Sequence, residues 1–237
     1  MNEPGNRRIQ SAIIHMTGLI LCAVSLWALR RWRLPFLVGT IGGVMPLKSA
    51  LYLLVFSPLL IWLLWRIFLI ASDGRVGGLS GLFVIGVLFV GLGLGMHDTA
   101  TLLGATGSTG WSPRALEARH FYDESLGHGA FWLGFVLTTV ATGVAQISNP
   151  MPARQSWPVC LVFGLLGLPL AAVMLGNLMF EHTGRDLVVI GVALGCVLVV
   201  HAWKRVELRR LPLLCLLYPA YALALVGTLL YWAVKSR

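Results

Sequence analysis

The chain has 237 residues, of which 57% are hydrophobic and only 11% charged. That is too little polar side chain to clothe a soluble globule of this size, so a water-soluble enzyme or binding module is excluded. A formal charge of +9 would suggest nucleic acid in a soluble domain. Here the basic residues fall mostly in short turns between apolar runs, where orientation signals and anionic headgroups account for them. The composition specifies an all-α polytopic integral membrane bundle of seven or eight transmembrane helices. It forms a single domain over 1–237, surrounded by membrane lipids and without a nucleic-acid partner, in a bacterial inner or plasma membrane.

Residues 1–10 are polar and carry Arg7 and Arg8, and 11–29 form the first run long enough to cross a bilayer. Arg30, Arg31, Trp32 and Arg33 follow it instead of a small-residue cleavage pattern, so it reads as a retained helix. Segment 34–70 is apolar but interrupted by Gly42-Gly43, Pro46 and Lys48. Either it crosses twice, or a loop precedes one crossing that contains Pro58.

The run 79–97 ends in Gly91-Leu92-Gly93-Leu94-Gly95-Met96-His97-Asp98, whose alternate glycines permit close approach by a neighbouring helix or ligand. A Gly/Thr/Ser-rich loop covers 99–112, after which Ser112-Pro113 reads as an N-cap and first helical residue. Helix then continues through His120 and His128 to about Val144, longer than one crossing, so its first turns stand in or above the interface. Three further crossings are expected at about 157–178, 187–202 and 211–232. Trp27, Trp62, Trp65, Trp111, Trp157, Trp203 and Trp232 lie near helix ends as interfacial anchors. Cys22, Cys160, Cys196 and Cys215 stand singly without CxxC spacing and read as small buried hydrophobes.

The stretch 204–210 has four basic residues in seven and marks the cytoplasmic side. Counting back from it places 147–156 inside, and 98–119 and 179–186 outside. Eight crossings would also bring the arginines at 30–33 inside and carry His15 to the outer face, whereas seven would leave those arginines outside. On either count one face collects His97, Asp98, His120, Asp123, Glu124, His128, Glu181 and His182.

Within His120-Phe121-Tyr122-Asp123-Glu124-Ser125-Leu126-Gly127-His128, α-helical spacing stacks His120, Glu124 and His128 over two turns, with Asp123 one step around. Ionisable groups in hydrocarbon face the bundle interior and have partners. Imidazole with carboxylate is a ligand set for zinc and iron. His97, His120, His128, Asp98 and His182 are therefore the candidate metal ligands, and Glu124 and Asp123 the candidate proton-transferring residues. The expected cofactor is a divalent metal, with zinc first.

These features lead to a metal-dependent membrane enzyme: a zinc hydrolase taking a lipid or small hydrophobic substrate from the extracytoplasmic side. An oxidoreductase using iron, copper or haem, a proton-coupled transporter and a non-enzymatic scaffold are the alternatives. There is no HExxH, no CxxCH and no phosphate-binding Gly-rich loop.

Overall fold

The computed structural model describes residues 4–31, 40–41, 45–75, 77–105, 110–180 and 184–235. Among these, seven helices are long and apolar enough to cross a membrane. They are α1 (Pro4–Arg31), α2 (Leu47–Ala71), α3 (Gly78–Ala105), α4 (Pro113–Ser148), α5 (Trp157–Phe180), α6 (Gly184–Lys204) and α7 (Pro212–Lys235). The protein is an all-α polytopic bundle.

Within the ambiguous segment 34–70, the described residues hold a single crossing, α2. Thr40–Ile41 (β1) pairs antiparallel with Met45–Pro46 (β2), and helix begins at Leu47, directly after the proline. Pro58 does not break α2. A proline ring crowds the carbonyl four residues back and removes an N–H, and a wider π turn over Tyr52–Phe56 lies just ahead of it. The next turn resumes as α-helix from Ser57.

With seven crossings, His15 sits on the side of the bundle away from the His97 end. Its Nδ1 donates to the Ser11 carbonyl at 2.7 Å, and its Nε2 accepts from Arg66 Nε at 3.3 Å. The same count places the C-terminus of α1, with Arg30 and Arg31, at the His97 end. Basic residues are thus shared between the two ends.

At the end opposite His97, arginines tie turns together by donating to open carbonyls at helix C-termini and in the turn after α4. Arg8 donates to Ile70 O (2.9 Å), Ala71 O (3.2 Å) and Asn149 O (3.1 Å), joining α1 to the ends of α2 and α4. Arg209 and Arg210 donate to Gln155 O and Met151 O, each at 2.8 Å. His201 closes this end too: its Nε2 donates to Val206 O at 2.8 Å, leaving Nδ1 to accept from the Tyr218 hydroxyl at 2.7 Å. Trp157 and Trp203 are exposed here, with Arg209 and Lys204 over their rings, as amphipathic anchors at a membrane boundary should be. Three of the four cysteines are buried; Cys196 is exposed.

The close pair in the bundle is α3 with α4. Gly93 on α3 lies so near α4 that a Cβ there would come within 2.5 Å of the Phe131 nitrogen and 2.7 Å of the Gly127 carbonyl oxygen. Gly134 on α4 meets the backbone of Gly86 and Val90 more closely still. Between helices in lipid, small residues of this kind let backbones touch. That seam sets the distance between His97 on α3 and His128 on α4.

Candidate metal centre

Helix α4 starts as its sequence indicates, with the Ser112 hydroxyl accepting from Ala115 N–H at 3.2 Å and Pro113 in the first turn. It runs for 36 residues, about 54 Å against a hydrocarbon core of about 30 Å. His128 lies twenty residues before its far end at Ser148, which is about 30 Å. His97 lies at a matching height, nineteen residues after Gly78 on the antiparallel α3. Both imidazoles therefore reach the same boundary of the membrane.

The turn in front of His128 is not α-helical. Phe121–Gly127 forms a π-helix, and the His128 N–H donates to the Asp123 carbonyl, five residues back. Single π turns bring residues five apart onto one face and recur at functional sites. This wider turn decides which side chains meet. Asp123, not His120, is rotated inward beneath α3, and its carboxylate contacts His97 Nδ1. Glu124 keeps a looser relation to His128, with Oε2 3.5 Å from Nδ1, and is itself exposed.

The result is a group of His97, Asp123 and His128 whose donor atoms all lie within 4.8 Å of one another. The two imidazole rings stand 5.0 Å apart, centroid to centroid, at 31°. His97 and Asp98 are buried, at 7% and 8% exposure. His120 and Ser125 are exposed and stand outside the group. His182 and Glu181 lie outside the described residues.

Two imidazoles and one carboxylate are a donor set that zinc accepts in catalytic sites, with a fourth position left for water or substrate. Tetrahedral bonds of about 2.0–2.2 Å put donors about 3.4 Å apart, so a pair near the 4.8 Å limit has to close by about an ångström and the His97–Asp123 contact has to open. His97 Nδ1 and the Asp123 carboxylate are in direct contact. A cation bound there needs the nitrogen's lone pair, so binding would release any proton that the nitrogen holds. The other nitrogen, His97 Nε2, is buried with no hydrogen-bond partner among the described residues. Leaving an imidazole nitrogen so placed is costly, and the ring is thereby suited to a ligand.

Beneath the two histidines lies a cavity of about 220 Å³, larger than the engineered cavity of about 150 Å³ that takes up benzene. Composition alone carries no signal for this cavity. Trp27 and Tyr52 border it near the histidines, while Met16, Ile67 and Leu213 line its other end. Thr138 bonds back to the Gly134 carbonyl at 2.9 Å, and Thr139 shares a 2.7 Å bond with the Tyr221 hydroxyl. Those wall hydroxyls are therefore satisfied within the protein.

No known protein family, curated protein or solved structure matches this chain.

Proposed function

We propose that this chain is a metal-dependent membrane hydrolase that holds one divalent ion, zinc first, with His97, Asp123 and His128, and acts on a lipid or small hydrophobic substrate. The observation that carries this reading is the meeting of those three side chains at the head of an apolar cavity. When bound, the ion supplies Lewis acidity and lowers the pKa of a water. His97, Asp123 and His128 set the ion's position. Glu124, beside His128 and open to water, takes the proton of the attacking water as its oxygen bonds to the substrate's carbonyl carbon. It then returns the proton to the leaving oxygen or nitrogen as the old bond breaks. Water is consumed, and an acid and an alcohol or amine leave.

Haem between His97 and His128 is a poorer fit. Axial ligands flank a macrocycle, whereas these rings face each other at 5.0 Å. A translocation path is poorly supported as well, because the lining of the cavity between its two ends holds no Asp, Glu, His, Lys or Arg among the described residues.

The test is to incubate the detergent-purified, zinc-loaded protein with a membrane lipid extract and follow products by mass spectrometry. Hydrolysis is expected, to be lost on chelation and reduced about 10²–10⁴-fold in Glu124→Gln, the range for losing a general base. Unchanged lipids at all zinc levels, from protein shown to bind zinc, would refute the hydrolase reading.

We place the site on the extracytoplasmic side, from the basic stretch 204–210 at the opposite end. In a Cys196→Ser background, Glu117→Cys is expected to react with a membrane-impermeant maleimide added to intact cells, and Lys204→Cys only after permeabilisation. The reverse pattern would turn the site to the cytoplasm.

A further inference from the structure

The lining and volume of the cavity under the histidines point to a narrower occupant than a lipid or small hydrophobic compound in general. Its lining on α4 extends from Gly127 to Thr142 and on α2 from Tyr52 to Ile67. Each covers sixteen residues, a rise of about 22 Å of helix. One leaflet's hydrocarbon is about 15 Å deep, half of the roughly 30 Å core, so the cavity is longer than one leaflet. Spread evenly over that length, about 220 Å³ matches one hydrocarbon chain better than two chains or a fused ring system. The ends differ in chemistry. His97 and His128 border one, and Met16, Ile67 and Leu213 the other, while Thr138, Thr139 and Tyr221 between them satisfy their hydroxyls within the wall.

We infer that this cavity binds a single unbranched acyl chain, with the carbonyl-bearing head at His97 and His128 and the tail extended past Tyr221 towards Met16 and Leu213. The inference rests on the metal-hydrolase reading for the role of the head and on the cavity alone for the tail. It makes the substrate a long-chain acyl ester, amide or related single-chain amphiphile. The scissile carbonyl then lies at the metal group because the chain has only one way to bury its methylenes.

The experiment is equilibrium binding of saturated fatty acids, from medium to very long chain, to the delipidated full-length protein held in amphipol without free detergent. Affinity is expected to rise about fourfold per added methylene, the factor for burying one CH₂, and to level off once the chain fills the bore. Ala23→Phe, which adds a ring to the wall one turn from Trp27, should bring the plateau to shorter chains. Met16→Trp, near the far end, should clip only the longest, and both should leave the shortest acids bound as before.

Affinity that grows without a plateau, or a plateau unmoved in two folded variants, would overturn the acyl-chain assignment. So would diacyl or branched lipids that compete as well as straight acids. A length-dependent plateau in protein that hydrolyses nothing sustains this inference and refutes the hydrolase. Hydrolysis without any length dependence does the reverse.

Discussion

Replacing His128 with alanine should empty the metal site while leaving the bundle folded. Purified wild-type protein reconstituted with zinc and washed is expected to carry about one ion per chain, and His128→Ala close to none. His128 is one of three converging donors among the described residues. Changing even an outer partner of a ligand costs 10–100-fold in affinity, so deleting a ligand should cost at least about 100-fold. His97→Ala and Asp123→Ala should behave alike. His120→Ala is the informative control, because it lies on the same helix but is exposed and apart from the group, and it should retain its zinc. Circular dichroism would verify folding in each case. Equal metal in wild type and His128→Ala, or near-zero metal in both, would remove the metal centre and the function built on it.

Gly134→Ala should be the most damaging added methyl among the described glycines. The added Cβ would press on the backbone of Gly86 and Val90, which cannot rotate away as a side chain can. Overpacking of a core typically costs 1–3 kcal/mol, and with backbone on the receiving side at least about 3 kcal/mol is expected. The variant should unfold at lower temperature in detergent. It should also bind zinc weakly, because parting α3 from α4 parts His97 from His128. Gly95→Ala, where a Cβ meets nothing within 4 Å, should be neutral or slightly stabilising, since alanine is the better helix former by about 1 kcal/mol. Thermal unfolding of the two variants side by side checks this. A Gly134→Ala protein as stable as wild type would mean that the α3–α4 seam is looser than described.

The placement of the polar groups was readable along the chain because depth in a membrane is a one-dimensional property. Nineteen or twenty residues from one boundary leads to the other at a fixed rise, so His97 and His128 had to share a level once their helices were antiparallel. The capping of α4 by Ser112 was legible for a similar reason, since it depends on neighbours within one turn. Azimuth was not. The α-helical ladder of His120, Glu124 and His128 assumes a uniform turn, whereas the π turn at Phe121–Gly127 swings His120 out and Asp123 under α3. Nothing in that heptapeptide announces the extra residue per turn. Likewise, Gly42-Gly43, Pro46 and Pro58 left the number of crossings before residue 70 open, because proline marks where a helix is stressed, not whether tertiary contacts absorb the stress.

Composition and apolar run length by themselves determined that this is a helical membrane protein with its acids and imidazoles gathered at one boundary, because transfer of side chains between water and hydrocarbon depends on each residue alone. Only the tertiary structure decided which of those groups touch and what space lies beneath them. The three-way meeting of His97, Asp123 and His128 depends on a locally widened helix and a glycine seam between two helices, both products of packing among residues distant in sequence.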